Sequence, residues 1–332
     1  MAIQLRLEFQ QNPVADEVSA VTAVVRPILQ GLLYALKRDV VDEAGGYQNL
    51  KLKMLPRLYR PGDGDCGLCF EYAVHDALTR HDPLVQERVI DAMSNYCNVP
   101  GHQSASILFG AEKTGSLRLI DTAKELLTDD SRLLAGNRGQ PAKLKQHIDS
   151  AAAVFRRKAK QFLLPLSISG IWKADLFVGF TDTDRWVATT VKINRNQLEG
   201  ARGLRIGIVP ILQGASDLVQ HDSARNLVIC PIPHDQAFME VFYQGWGVVQ
   251  QFVNADAHVP KEVALPRAPE RQVAKYLADR REFPVLEVIE ALKPLAQPEL
   301  LRTTERVAGV VDRREAQSAT ETLEAPVART IL

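Results

Sequence analysis

The sequence predicts an α+β (mixed α/β) protein, in which a helical amino-terminal region leads into a small central mixed sheet flanked by helices. Three observations carry this. Apolar residues recur at helical spacing through most of the first half of the chain. The texture then changes to short β-type runs at 165–171, 173–180, 185–194, 203–212 and 226–232, separated by turn residues. Helical spacing returns at 234–254, 269–281 and 284–293.

Each element has a local reason. Ile3, Leu5, Leu7 and Phe9 share one parity and predict a first strand, ended by Asn12-Pro13. From Val14 to Arg38 the spacing is helical, with Pro27 expected to kink or split the element and Gly45-Gly46 to close it. Tyr47 to Arg60 reads as extended or irregular, and Pro61-Gly62-Asp63-Gly64-Asp65 as a turn. Helices follow over Cys66–Arg80 and Pro83–Tyr96, the second with proline in its first turn, where a missing N–H costs nothing. Val99 to Gly115 reads as a loop around Ile107-Leu108-Phe109, and helices are expected at 116–128 and 141–164. The domain organisation expected is a strand-and-helix region at 1–60, a core at 61–296 and a polar, loosely held tail at 297–332.

Composition narrows the function classes. The chain has 332 residues, with 40 basic side chains against 40 acidic ones, which excludes a bulk polycation but not a local basic groove. Four cysteines do not make a disulfide framework, so a reducing compartment is expected. The opening MAIQLRLEFQQ, with Glu8, lacks the apolar core of a signal peptide. Val14–Leu36 is interrupted by Asp16, Glu17, Arg26, Pro27 and Gln30, unlike a bilayer span. The expectation is a soluble, cytoplasmic protein with no membrane partner; a protein partner or homo-oligomer stays open.

The strongest chemical signal is the hairpin KADLFVGFTDTDRWVATTVKIN at 173–194. A turn at Thr181–Asp184 sets Leu176 opposite Thr189, Val178 opposite Val187 and Ala174 opposite Val191, a coherent apolar face. The other face pairs Asp175 with Thr190, Phe177 with Ala188 and Gly179 with Trp186, and Lys192 lies two residues beyond Thr190. An acid and a lysine therefore converge on one side of an otherwise apolar hairpin. Trp186 shares that side, as core or as a stacking wall.

An Asp on one strand followed by a small residue-x-Lys on the next resembles the PD-(D/E)XK core of restriction-endonuclease-like nucleases. Asp175 matches the first acid, and Thr190-Val191-Lys192 falls where the family has Asp/Glu-x-Lys, with Thr190 departing from the motif acid. The resemblance implies a restriction-endonuclease-like sheet, a metal site of Asp175 and the Val191 carbonyl binding Mg2+ or Mn2+, and Lys192 positioning or activating water. The family can take its second acid from a preceding helix, and Glu71, at the margin of the buried stripe on the Cys66 helix, is the candidate; Glu199 and Gln197 are reserves. The implied activity is DNA phosphodiester hydrolysis, in phage defence or repair. A non-catalytic nucleic-acid or protein-binding module on the same fold is the alternative that Thr190 favours.

A basic surface borders this hairpin in sequence. Residues 141–162 carry six basic side chains against the single acid Asp149. Arg156, Arg157 and Lys160, with Arg195, Arg202 and Arg205 after the lysine, are candidates for contacting a phosphate backbone. Two further readings concern the cysteines. Gly62–Cys66 entering a helix resembles the nucleophile segment of OTU-type cysteine peptidases, with His102, His221 or His234 as base, but Gly67-Leu68 departs from the family's Leu-aromatic pair. Cys66, Cys69, Cys97 and His102 have the ligand types of a structural Zn2+ site, yet the second pair is not a CxxC, so buried thiols are preferred. His75 and Asp76 are expected to be solvated.

Overall fold

Alternating and helical apolar patterns place the chain in a layered α/β arrangement. The computed structural model describes residues 13–58, 65–109, 125–134, 141–148, 174–199, 205–211, 216, 218–233, 237–258 and 265–296. The expected strand at Ile3–Phe9, the run at 165–171, the tail from 297 and most of the helices at 116–128 and 141–164 lie outside these residues. So do His234, Arg156, Arg157, Lys160 and Arg202.

The helices are α1 (Pro13–Ala35), α2 (Arg38–Glu43), α3 (Leu55–Leu58), α4 (Asp65–Thr79), α5 (Pro83–Asp91), α6 (Ala237–Asn254), α7 (Ala268–Asp279) and α8 (Val285–Leu292). The strands are β1 (Ser104–Leu108), β2 (Arg132–Leu134), β3 (Ala142–Lys143), β4 (Leu176–Phe180), β5 (Arg185–Val191), β6 (Arg205–Ile211), β7 (Gln220–Asp222) and β8 (Leu227–Pro233). They form one open mixed sheet in the order β1-β4-β5-β6-β8-β7, with β2 alongside β5 and β3 alongside β2. β5, β6 and β8 run parallel, while β1, β4 and β7 are antiparallel to their neighbours.

The hairpin register is as the alternation requires: Leu176 faces Thr189, Val178 faces Val187 and Gly179 faces Trp186. Its turn is tied down by its acids. Asp182 accepts from the backbone N–H groups of His102 and Gln103, and Asp184, at φ 53°, accepts from Thr128 and Ser131 hydroxyls. A Cβ on Gly179 would stand 2.3 Å from the Arg185 carbonyl oxygen, so the strand has no room for a larger residue beside Trp186.

Leu176, Val178, Val187, Val191, Ile206, Ile208 and Cys230 turn to one face of the sheet and share a core with α1, α4, α6, α7 and α8. Phe177, Trp186 and Ala188 turn to the other, under Leu133, Leu144 and Ile148. The apolar cluster containing α1 continues without a break into the segments after residue 61, so both share one interior. By length and composition Glu17–Ala35 could cross a membrane, but 78% of that window is buried inside the protein.

Several expectations change. α1 runs through Pro27 as one helix, and Gly31 lets it approach α4, where a Cβ would meet the Cys69 backbone at 3.3 Å. Residues 47–58 hold 3-10 turns and α3 where extended or irregular chain is expected. Val99–Gly115 contains an edge strand, β1, because pairing with β4 selects it where Ser104-Ala105-Ser106 offers little apolar alternation. Asp76 is buried, not solvated: it pairs with Arg26 of α1 and with Arg80 at 2.5 Å. Trp186 is fully buried core, with no face left for a base.

His75 is half-buried, with Nδ1 3.0 Å from the Ser106 hydroxyl. Burial pulls its pKa down to about 4, against the opposing charge of Asp76. The unfolded chain therefore binds a proton near pH 6.5 that the folded chain refuses until about 4. Stability is whole above pH 6.5 and falls as the pH drops towards 4, by at most about 3 kcal/mol. Urea denaturation at pH 7 and pH 5 should show that loss in the wild type and a smaller one in His75→Gln. An equal loss in both would place the acid sensitivity elsewhere.

Candidate active site at the end of the β4–β5 hairpin

Ligand sites in open α/β sheets gather at the carboxyl ends of parallel strands, where side chains escape the ladder. Asp175, just before β4, and Lys192, just after β5, meet at such an end. The Asp175 N–H donates to the Thr189 carbonyl, which fixes the acid against β5. Its Oδ2 accepts three hydrogen bonds: from the Thr190 hydroxyl at 2.9 Å, the Val191 N–H at 2.9 Å and Lys192 Nζ at 2.8 Å.

Lys192 Nζ also donates to Glu71 Oε1 at 3.2 Å. Glu71 projects from α4, which packs on β1 and β5 with Phe70, Ala73, Val74 and Ala77 in the core. The boundary position of Glu71 on that stripe brings it to the sheet end. The structure therefore gathers Asp175, Thr190, Val191, Lys192 and Glu71, the residues singled out from the sequence.

The electrostatics follow from burial. Asp175 is 3% and Glu71 8% exposed, so both acids need compensation. Lys192 is the most open member, its side chain 28% exposed. Burial alone would lower its pKa, but the charges and hydrogen bonds of Asp175 and Glu71 more than offset this and hold it above the ordinary lysine value. Its charge thus persists across the neutral range and is lost only in strong alkali.

Arg205 corrects one expectation. The sequence makes it a candidate for contacting a phosphate backbone, but it is 2% exposed, on the rung beside Ala188 and within the field of Asp175 and Glu199. Burial lowers its pKa, and those two acids oppose the shift. It serves as a second counter-charge to the site. A lone arginine in the apolar strand Arg-Ile-Gly-Ile-Val-Pro-Ile was the available signal, because such a charge is buried and needs a partner. Arg195 is exposed on the connector after Lys192, and the reserves Gln197 and Glu199 are exposed beside it.

No protein family, curated protein or solved structure matches the chain. The resemblance therefore rests on these residues alone.

Two buried carboxylates have the hard-oxygen chemistry of a Mg2+ site, and Mg2+ is commonly held by one or two carboxylates while keeping several waters. The donor set fits on that count. The place where one cation balances both acids is taken by the Lys192 ammonium, so a divalent ion at Asp175 and Glu71 requires Lys192 to turn aside.

The cysteine readings fare differently. Cys69 Sγ lies against the Ile28 carbonyl of α1, and burial pushes the Cys97 thiol up to about 12, away from the thiolate that zinc requires. His102 is exposed at the hairpin tip. Among the described residues no three His, Cys, Asp or Glu side chains form a ligand cluster, so the set Cys66, Cys69, Cys97 and His102 is not assembled. Cys66 is half-buried in the first turn of α4 and in the field of Tyr243.

Proposed function

We propose that this cluster is the active site of a divalent-metal-dependent nuclease that hydrolyses phosphodiester bonds in DNA. The observation that carries the reading is the meeting of Lys192 with both Asp175 and Glu71, residues far apart in sequence, at the carboxyl end of a parallel strand. Asp175 and Glu71 would hold Mg2+ or Mn2+, with the Val191 backbone adjoining. Such an ion supplies charge stabilisation at the phosphoryl group and a water of lowered pKa. Thr190 donates to Asp175 and fixes its carboxylate. Lys192 is the solvent-facing cation, suited to orient the attacking water and offset phosphate charge. Arg205 backs Asp175 from the same sheet face.

Plasmid DNA in Mg2+ or Mn2+ is expected to be cut by the wild type, and about 100-fold more slowly by Asp175→Ala and Lys192→Ala. Cutting that persists in both variants would remove the assignment. A second reading, a non-catalytic nucleic-acid-binding module, is favoured by one observation: Asp175 and Glu71 are already balanced by Lys192 and Arg205. DNA binding without metal-dependent cleavage by the wild type would select it.

A further inference from the structure

A cleft of about 280 Å³ opens on the sheet beside this cluster, lined by Arg195, Asn196, Leu198, Asp222, Arg225 and Ile229. Sheet register fixes its relation to the site. Thr190 pairs with Gly207, and Gly207 pairs with Ile229, so the cleft floor lies on the same rung as the residue that holds Asp175. As direct cross-strand neighbours on β5, β6 and β8, Thr190, Gly207 and Ile229 are on the same face. Leu198 packs over Gly207, where an added Cβ would stand 3.0 Å from its side chain. Gly207 thereby lets the connector lie close to the sheet and form the cleft wall.

The polar rim of the cleft is cationic and loosely engaged. Arg195 Nη2 reaches Gln220 Oε1 at 3.5 Å, the long limit of a hydrogen bond. Arg225 Nε stands 3.5 Å from Asp222 Oδ2, in an ion pair whose arginine is 56% exposed. An exposed pair at that distance contributes little, so its guanidinium can turn to a better acceptor at small cost. Two arginines against one aspartate leave a net positive rim over the apolar floor of Leu198 and Ile229. Two guanidinium forks converging on one concavity match the oxygens of a phosphodiester.

We propose that this cleft is a phosphate-binding subsite, which holds the backbone of the substrate strand beside the bond that the Asp175–Lys192 cluster addresses. The proposal rests on the nuclease reading for that cluster. Two strand spacings, roughly 10 Å, separate the Thr190 and Ile229 backbones, or about three nucleotide steps along a duplex axis. The subsite grips a phosphate and reads no base, so it adds affinity without sequence preference.

The test is binding of a labelled duplex oligonucleotide in EDTA, where no metal-dependent cutting can occur, followed by plasmid cleavage in Mg2+. Arg195→Gln/Arg225→Gln should weaken binding at least about tenfold and flatten its salt dependence by roughly two phosphate contacts. Lys53→Gln/Lys293→Gln removes the same charge from two exposed cations paired elsewhere and should change affinity little. Asp222→Asn should tighten binding severalfold by removing the competing carboxylate. Equal losses in the two double variants would overturn the subsite, as would no loss in the arginine pair. Arginine-dependent binding without cleavage by the wild type would keep the subsite and remove the nuclease reading. Cleavage with unaltered KM in the arginine variant would do the reverse.

Discussion

Lys192→Met is expected to cost about 3–5 kcal/mol of folding stability. The variant keeps the apolar stem and removes only the ammonium that both buried acids face, at 2.8 Å from Asp175 and 3.2 Å from Glu71. Arg205 still offsets part of the charge on Asp175, which places the effect towards the lower end of that range. Urea denaturation at pH 7 in EDTA measures it. Adding Asp175→Asn to Lys192→Met should return part of the loss, because it neutralises one of the two buried acids left without the ammonium, while Glu71 stays charged. A cost below about 1 kcal/mol for Lys192→Met would mean that the pair behaves as a solvated surface contact.

The same variant tests the metal. With the ammonium gone, only Arg205 offsets the charge of the two carboxylates, and Mg2+ should stabilise Lys192→Met far more than the wild type. At a metal concentration 100 times Kd the gain is about 2.7 kcal/mol, several degrees in Tm. Thermal unfolding with MgCl2 against EDTA reads the difference. Equal shifts in the wild type, Lys192→Met and Lys192→Met/Asp175→Asn would show that Mg2+ does not enter between these acids.

The hairpin and its site were legible because a side-chain period of two puts Leu176, Val178, Val187 and Val191 on the same face, and the turn at Thr181–Asp184 selects the register that agrees with it. That register fixed the Asp175–Thr190–Lys192 side by subtraction, and the helical angle of Glu71 supplied the fourth member. β1 was not legible because Ser104-Ala105-Ser106 offers little apolar alternation, and β2 and β3, of three and two residues, carry too little pattern; all three exist through their pairing. Asp76 was misread for a related reason. A charged residue off the apolar stripe reads as solvated until a second helix brings Arg26 to it. Arg205 failed on the same ground: charge in sequence does not say whether its partner is solvent or a buried acid.

Thr190→Asp should reverse its sign with metal. The Thr190 hydroxyl donates to Asp175 Oδ2 at 2.9 Å inside a region where Thr190 itself is 4% exposed. Replacing that donor by a carboxylate loses the hydrogen bond and sets two like charges within a few ångströms in low dielectric, which keeps one of them protonated. In EDTA the variant should be about 2–4 kcal/mol less stable than the wild type, the range for an unsatisfied buried charge beside a lost hydrogen bond. Thr190→Val separates the two contributions: it loses only the donor, at about 1 kcal/mol, and gains no metal response. In Mg2+, Thr190→Asp places an acid where the nuclease motif that the hairpin resembles carries one, and adds an oxygen ligand. Its stability should then recover to the wild-type level or above, with metal affinity raised about tenfold or more. Cleavage at low Mg2+ should rise accordingly, because the ion supplies the charge stabilisation that Thr190 cannot. If Thr190→Asp stays equally destabilised at every Mg2+ concentration, this end of the sheet is an ion-paired structural joint, and the chemistry proposed for it has no metal to work with.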